Sequence, residues 1–351
     1  MKCIINLVKQ HIEFQKIWQY KKIHCWTLWK GTKQMKIRFG YVANALGLWD
    51  ASPSKALTFS RYSALPKQEA TEKLLAVTAQ NLKNTKRILY YNAANEISLY
   101  RLSSSLVPLA THPELEWDFI TPFKEQWREL GQLIRQFKLR VSFHPNQFTL
   151  FTSPREEVTI NAVKDMEFHY KMLKAMDVLD TSIINIHIGG AYGDKNTSLR
   201  RFHQNIKQLP VEIKNQMTLE NDDKTYNVKE TLITCEQENI PMILDYHHHM
   251  ANNEDIDLSL YLERIFNTWN NKKMVPKVHI SSPKSIQAFR SHADFVSIDF
   301  VLPFLKMAKN LKQDFDIMIE AKQKNLAMLK LIEDIASIRG VKQTSGGTIE
   351  W

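Results

Sequence analysis

The sequence predicts an α/β protein in which eight parallel strands, each followed by helical segments, close into a single (β/α)8 barrel of the TIM type. From Met35 onward, short runs rich in Ile, Val, Leu, Phe and Tyr alternate with longer amphipathic stretches. No GxGxxG motif follows the first such run, which disfavours the open dinucleotide-binding sheet that is the main alternative. The length of 351 residues also suits one large barrel domain.

Eight short runs are predicted as the strands because each is rich in β-forming residues and is bounded by polar or turn residues. In chain order they are Ile37–Val42, Ile88–Tyr91, Arg140–His144, Ile183–Ile188, Met217–Glu220, Met242–Tyr246, Lys277–Ile280 and Asp316–Glu320. Apolar residues at three- and four-residue spacing predict helices between them, with their Met and aromatic residues in the core. The clearest helical stripes are Glu125–Phe137, Val163–Met176, Leu260–Trp269 and Leu326–Ile338.

Residues 1–34 differ from the rest in composition. They are rich in Lys, Trp and Ile, lack Arg and Ser, and contain a single acid, Glu13. No apolar core is followed by small residues, so a secretory signal is disfavoured. We expect a basic extension outside a barrel domain that spans residues 35–351. Its two interpretations are an upstream start codon chosen in error before Met35, and a basic helix packed on the outside of the barrel.

Composition and charge limit the classes of function. A hydrophobic fraction of 44% and a charged fraction of 24% are typical of a soluble globular protein. No apolar run reaches the roughly 18 residues that a membrane span needs. The net charge of +10 suits a polyanionic partner. Cys3, Cys25 and Cys235 form no CxxC pair, which argues against a disulfide framework and thiolate-held zinc and favours a reducing, cytoplasmic location.

The ends of the third to eighth predicted strands carry the side chains that bind divalent metals. These segments are FHPNQ (143–147), NIHIGG (185–190), LEND (219–222), LDYHHH (244–249), KVHIS (277–281) and IEAK (319–322). In an α/β barrel the carboxyl ends of the strands meet on one rim, where active sites form. Histidine and carboxylate ligands on that rim predict a metal centre. The candidate ligands are His144, His187, Glu220, Asp245, His248, His279, His292 and Glu320.

Eight candidates exceed the needs of one ion, so the sequence predicts two or three divalent ions. Glu220, on the middle strand of the set, is well placed to bridge two of them. Ions about 3.5–4 Å apart can activate a water and stabilise the leaving oxygen of a phosphoryl displacement. Phosphodiester cleavage is therefore the favoured reaction, and the basic net charge suits the polyanionic substrate of such a reaction.

Lys277 lies two residues before His279, so on a strand both side chains face the same way. A cation beside metal ions would be repelled. Either the strand register differs, or this lysine is neutral or chemically modified. Lys322 stands two residues after Glu320, past the strand end, and is interpreted as either phosphate-facing or solvated.

Together these motifs resemble the UV damage endonuclease family from Met35 nearly to residue 325. The matching segments are FGYVANALGLWDASPSK (39–55), SFHPNQFTLF (142–151), NIHIGG (185–190), TLEND (218–222), LDYHHH (244–249), KVHISS (277–282), SHADF (291–295) and IEAKQK (319–324). The resemblance implies a TIM barrel related to endonuclease IV. It also implies up to three ions, often manganese, with Mg²⁺, Co²⁺ or Zn²⁺ as alternatives, and cleavage just 5′ of cyclobutane dimers and 6-4 photoproducts.

The resemblance assigns the ligands to three metal sites. By motif, the first is His144, His187 and Glu220, the second is Glu220, Asp245, His279 and Glu320, and the third is His248 and His292. The lysine of the KxH motif, here Lys277, can be carboxylated in some family members, and a carbamate would remove the charge conflict. The catalytic group implied in this way is Glu220, Lys277, His248 and His292.

The resemblance also implies residues that contact DNA. In the family a pair of residues after the HPxQ motif wedges into the stack opposite the lesion, and here that pair is Gln147 and Phe148. Phenylalanine keeps the stacking surface of the tyrosine found in some members and lacks its hydroxyl. Tyr41 corresponds to a tyrosine that lines the lesion pocket, and Asn44 to a nearby asparagine at slightly different spacing. The implied partner is damaged double-stranded DNA, bound by a monomer without an obligate protein partner.

Three alternative functions stay open at this point. A sugar isomerase-like barrel also carries His, Glu and Asp at its strand ends, but would need neither the basic charge nor a wedge. A non-catalytic lesion-binding protein would not need a full ligand set. An abasic-site endonuclease of the endonuclease IV type differs from the favoured reading only in its substrate.

Overall fold

The computed structural model of the protein describes residues 34–351, and the expectations for residues 1–33 lie outside this range. Eight parallel strands form a closed barrel in which each strand pairs with the next and the eighth pairs with the first. The predicted TIM-type fold is therefore confirmed. The strands are β1 (Lys36–Val42), β2 (Leu99–Arg101), β3 (Arg140–Phe143), β4 (Ile183–His187), β5 (Met217–Glu220), β6 (Met242–Asp245), β7 (Lys277–Ile280) and β8 (Phe315–Ile319).

Helices connect the strands and cover the barrel, and all four predicted helical stripes overlap observed helices. Their buried faces are apolar: Trp127, Leu130 and Ile134, for example, lie on one side of the helix Lys124–Gln136. The α-helices are Phe59–Ser63, Lys67–Ala94, Lys124–Gln136, Glu156–Ala175, Lys195–Asn205, Val211–Lys214, Val228–Glu238, Tyr246–Ala251, Leu262–Asn267, Ile298–Asn310 and Lys324–Ala336. None of the described helices is long and apolar enough to cross a membrane.

The second strand was predicted in the wrong place. Residues 88–91 belong to the long helix Lys67–Ala94, and the strand is the three-residue segment Leu99–Arg101. Ile88 and Leu89 are both buried in this helix, whereas Tyr90 is exposed, so the run of four residues combines a buried helix face with an exposed aromatic side chain. Periodicity alone does not separate such a short run from a strand. The other seven predicted strands overlap the observed ones.

The barrel closes around β1, which has different neighbours along one edge. The start of β1 pairs antiparallel with β10 (Thr348–Glu350), which forms a hairpin with β9 (Lys342–Ser345). The end of β1 pairs parallel with β2. Gly40 lies at this junction, where a Cβ atom would collide with the backbone carbonyl of Leu99. A glycine is therefore needed for β2 to complete the barrel.

The interior of the barrel is polar at several levels, because alternate residues of each strand point inward. At the amino-terminal level, Asp316 accepts hydrogen bonds from Arg38 Nε at 2.7 Å and Arg140 Nη1 at 2.6 Å. One level higher, Lys277 Nζ donates to Ser142 Oγ at 3.0 Å. His144 lies two residues beyond Ser142, at the carboxyl rim. The same inward faces therefore lead from a buried ion-pair network up to the predicted metal centre.

Candidate metal centre

Two groups of potential ligands meet at the carboxyl rim and share one residue. His144, His187 and Glu220 form the first group, and Glu220 joins Asp245, His279 and Glu320 in the second. Within each group the ligand atoms all lie within 4.8 Å of one another. The shared residue is the carboxylate predicted to bridge two ions, and it is fully buried. Four strands, β4 to β7, and the residues directly after β3 and β8 thus bring six predicted ligands together.

Glu220 is contacted from three sides. Its Oε2 lies 3.1 Å from His144 Nε2 and 3.0 Å from His279 Nδ1. The amide of Asn185 donates a hydrogen bond to the same oxygen. The other carboxylate oxygen, Oε1, lies 3.5 Å from His248 Nδ1. This arrangement holds the carboxylate at the centre of the cluster with both oxygens facing ligand side chains.

His248 and His292 are each oriented by a backbone carbonyl. His248 Nδ1 lies 3.1 Å from the carbonyl oxygen of Asn221, and His292 Nδ1 lies 2.7 Å from that of Glu320. A ring that donates its Nδ1 proton in this way keeps Nε2 as a lone-pair donor, which is the arrangement common for metal-binding histidines. The two ring centroids lie 6.2 Å apart. These are the two residues that the family resemblance pairs at a third site.

Close packing of buried acids and histidines shifts their protonation. Burial raises the pKa of Asp245 to about 6. Burial also disfavours protonated histidine, but the carboxylates of Glu220 and Glu320 outweigh it and raise the pKa of His279 to about 9. The carboxylates of Asp245, Glu220 and Glu320 likewise raise the pKa of His248 to about 9. The carboxylates of the cluster therefore stabilise positive charge beside them. Without a metal ion, protons on His248 and His279 supply that charge.

The donor atoms fit divalent metal ions. Four buried atoms of the cluster have no hydrogen-bond partner among the described residues: His187 Nδ1, Glu220 Oε1, Asp245 Oδ2 and His279 Nδ1. The last of these is near two carboxylates but is not aligned for a hydrogen bond with either. Unpaired buried polar atoms are costly, and native proteins rarely keep several in one place. Imidazole nitrogens and carboxylate oxygens together are suitable ligands for Mn²⁺, Zn²⁺ or Co²⁺.

Lys277 lies where the sequence placed it, on β7 and facing the interior with His279. The strand bounds match the prediction, so a different register is ruled out as the answer to the charge conflict. Burial, followed by the nearby charge of Arg140, holds the pKa of Lys277 well below its usual range. The remaining explanations are a neutral lysine or a modified one.

Tyr41, which the family resemblance places in a lesion pocket, lies inside the protein in this structure. Its side chain is fully buried, and its hydroxyl donates to Asn92 Oδ1 of the helix Lys67–Ala94 at 2.5 Å. The reason is strand alternation: Arg38 points into the barrel, so Tyr41, three residues later, points outward to the helix layer. Asn44 does lie at the end of β1, and its buried Oδ1 makes no hydrogen bond among residues 34–351.

The loop after β3 presents Phe148 to solvent. The side chain of Phe148 is 72% exposed, and Gln147 beside it is also exposed. Asn146 Oδ1 accepts the backbone N–H of Phe148 at 2.8 Å, which forms a tight side-chain-capped turn. The next residue, Thr149, is buried and hydrogen-bonded to Asp165. A braced loop thus carries an exposed aromatic ring four residues after the ligand His144.

Sequence reasoning missed two residues that touch the cluster. Asn185, which holds Glu220, lies two residues before His187, so the period of two could have identified it as inward-facing. Arg101 ends β2, and its Nη1 contacts Glu320 Oε1. Placing the second strand at residues 88–91 hid this arginine, because the strand end that carries it was not considered.

The fold and the cluster define a class of protein: TIM-type barrels with a His, Glu and Asp centre on the carboxyl rim. Comparison with known proteins is more specific. The sequence profile described as UV-endonuclease UvdE matches residues 37–351. A UV DNA damage endonuclease from Bacillus cereus (strain 03BB102) is 57% identical over 317 residues, which are 90% of this chain and 100% of the relative. One from Bacillus anthracis is 56% identical over the same span.

Solved structures agree with this result. The crystal structure of SacUVDE is 30% identical, with a TM-score of 0.76, and the match covers 85% of this chain and 98% of the other. The structure described as AsfvAP:AG is 12% identical with a TM-score of 0.51, a likeness of fold alone. The chain belongs to the UV-endonuclease UvdE family, which is a family of nucleases.

Proposed function

We propose that this protein is a DNA repair endonuclease that hydrolyses the phosphodiester immediately 5′ of UV lesions, namely cyclobutane pyrimidine dimers and 6-4 photoproducts. The observation that carries the proposal is the pair of ligand groups joined through Glu220 at the carboxyl rim, in a chain of the UvdE family. Two or three divalent ions, of which Mn²⁺ is the leading candidate, would be held there. When bound, such ions activate a water and stabilise the leaving 3′ oxygen.

The side chains of the centre have distinct tasks in this proposal. Glu220 bridges the two ligand groups, with Asn185 holding one of its oxygens. His248 and His292 hold the third position with their carbonyl-oriented rings. Burial favours the neutral amine of Lys277. A neutral lysine amine can react with CO₂ to give a carbamate and a proton. That modification would bring a further anion to the level below the cluster.

Binding of the duplex would involve the basic surface and the loop after β3. A net charge of +10 supports contacts to phosphates that are largely independent of sequence. Phe148 and Gln147 would enter the base stack opposite the lesion, where stacking is already weakened, so unstacking costs less there. The exposure of Phe148 on a braced loop supports this role. Asn44 is proposed to contact DNA near the end of β1.

We further propose that residues 35–351 form the nuclease domain and residues 1–34 an added segment. The profile match begins at residue 37, and the Bacillus relatives are covered in full by 90% of this chain. The protein would act in the cytoplasm as a monomer on damaged double-stranded DNA.

A substrate panel tests the proposal. Purified protein loaded with Mn²⁺ is given three end-labelled duplexes of one sequence, containing a cyclobutane dimer, an abasic site or no damage. The proposal expects nicking of the dimer duplex well above the undamaged one. Nicking of the abasic duplex alone would make the protein an abasic-site endonuclease. No nicking of any duplex, together with turnover of a ketose or aldose, would favour the sugar isomerase-like alternative.

A further inference from the structure

Arg101 brings a positive charge into the metal centre. It is the last residue of β2, in register with Val42 of β1 and Ser142 of β3. Its side chain is only 13% exposed, and its Nη1 contacts Glu320 Oε1. That same oxygen lies 3.0 Å from His279 Nδ1, so it faces the second ligand group. Arg101 therefore contacts the Glu320 oxygen that faces the second ligand group.

This placement is unfavourable for metal binding alone. A guanidinium is protonated at every relevant pH, so it repels divalent cations and competes with them for the Glu320 oxygen. Among residues 34–351, Arg101 is the arginine that pairs with a carboxylate of the cluster. Arginine offers five N–H donors in a planar fork that matches phosphate oxygens. An arginine beside a metal centre is thus well suited to an anion that arrives with the substrate.

A second cation lies on the same side of the cluster. Lys324 follows β8 and adopts a left-handed backbone with φ of 48°, an unfavourable conformation for a lysine. Burial lowers the pKa of Lys324, and the nearby charge of Arg101 lowers it further. The neighbouring end of β1 provides no charged side chain, since Val42 and Ala43 stand there. Arg101 and Lys324 therefore place two basic side chains near Glu320, while the rest of the centre consists of carboxylates and histidines.

We propose that Arg101 binds a DNA phosphate at the edge of the metal centre, and that it pairs with Glu320 when DNA is absent. The phosphate is the one placed next to Glu320 when the duplex is bound, and Lys324 adds to the positive potential there. When metal and DNA bind, the partner of Arg101 thus changes from the Glu320 carboxylate to a DNA phosphate. This inference rests on the proposed function, because it takes DNA as the substrate.

The test compares three variants with the wild type. Arg101→Gln removes the charge and the fork, and Arg101→Lys keeps the charge without the fork. Arg128→Gln is the matched control, since Arg128 is an exposed arginine on the outer helix Lys124–Gln136. Mn²⁺ affinity is measured by calorimetry without DNA. Duplex affinity is measured by fluorescence anisotropy with the metal-loaded protein and a non-hydrolysable linkage 5′ of the lesion.

Arg101→Gln is expected to bind Mn²⁺ as tightly as the wild type or more tightly, and to bind the duplex about 10- to 100-fold more weakly. Arg101→Lys should fall between the two, and Arg128→Gln should match the wild type. Uncharged methylphosphonates are then placed one at a time along the strand. A methylphosphonate at the phosphate that Arg101 contacts should weaken binding by the wild type but not weaken binding by Arg101→Gln any further. At phosphates contacted by other residues, both proteins should lose affinity equally.

Weaker Mn²⁺ binding by Arg101→Gln, with a methylphosphonate profile parallel to that of the wild type, would overturn the proposal. Arg101 would then only orient Glu320. Failure of the proposed function looks different: the wild type itself would not prefer or nick the lesion duplex. The phosphate scan still reports on Arg101 in that case, on whichever duplex the wild type binds. Thermal melting identifies a variant that fails to fold, and Arg101→Lys then carries the comparison.

Discussion

Replacing Glu220 with glutamine tests the centre at the residue on which its two ligand groups depend. The change preserves shape and removes one negative charge. In the metal-free protein it weakens the charge-assisted hydrogen bond with His144, worth about 1.5–3 kcal/mol, and the electrostatic contact with His279. It also relieves repulsion between carboxylates. The negative charges of Glu220 and Glu320, together with burial, raise the pKa of Asp245. These effects partly cancel, so we expect a loss of stability of only about 1–3 kcal/mol.

The effect on catalysis should be far larger. Changes to outer-shell partners of a metal typically cost 10- to 100-fold, and Glu220 is proposed as a direct ligand shared by two ions. Turnover should therefore fall at least about 1000-fold, with fewer Mn²⁺ ions bound per protein. Single-turnover nicking of a dimer duplex and metal analysis measure both. Glu238→Gln is the control, since Glu238 also pairs with a histidine, at 2.6 Å, but far from the rim. Near-normal nicking or an unchanged metal count in Glu220→Gln would refute the bridging role.

Three further changes test other parts of the account. Phe148→Ala should weaken lesion-duplex binding by about 1–3 kcal/mol with unchanged Mn²⁺ affinity, and Phe148→Tyr should restore it; equal anisotropy curves for all three proteins would rule out a wedge. His248 and His279, with pKa values of about 9, are protonated at pH 7, so Mn²⁺ must displace protons and its affinity should rise from pH 7 to 9. Calorimetry in buffers of different ionisation enthalpy measures the protons released, and an affinity that does not change with pH would contradict the prediction. Asp316→Ala leaves two partly or fully buried arginines unpaired and should cost about 3–5 kcal/mol in urea unfolding; a loss under 1 kcal/mol would contradict the network.

The ligand cluster was predictable from the sequence because the fold converts sequence pattern into position. Parallel strands in a barrel end on one rim, so histidines and acids at successive strand ends must converge. Glu220 is the clearest case: its place on the middle strand of the set predicted a shared ligand, and the structure puts it in both ligand groups.

Other features depend on long-range packing and were not predictable in this way. The true second strand has three residues, too few for a periodic pattern, while the helix before it contains a run that looks like a strand. The burial of Tyr41 depends on which face of β1 turns inward, and Asn92, its partner, lies 51 positions along the chain. The contact between Arg101 and Glu320 spans 219 positions, so no local pattern indicates it.

The most direct test of the central claim is the position and metal dependence of the nick. A duplex with one cyclobutane dimer is labelled at the 5′ end of the damaged strand and incubated with the protein, first with Mn²⁺ and then with excess EDTA. The account predicts a single product that ends immediately 5′ of the dimer, formed with Mn²⁺ and absent with EDTA. A nick at another position, or one that persists in EDTA, would contradict it.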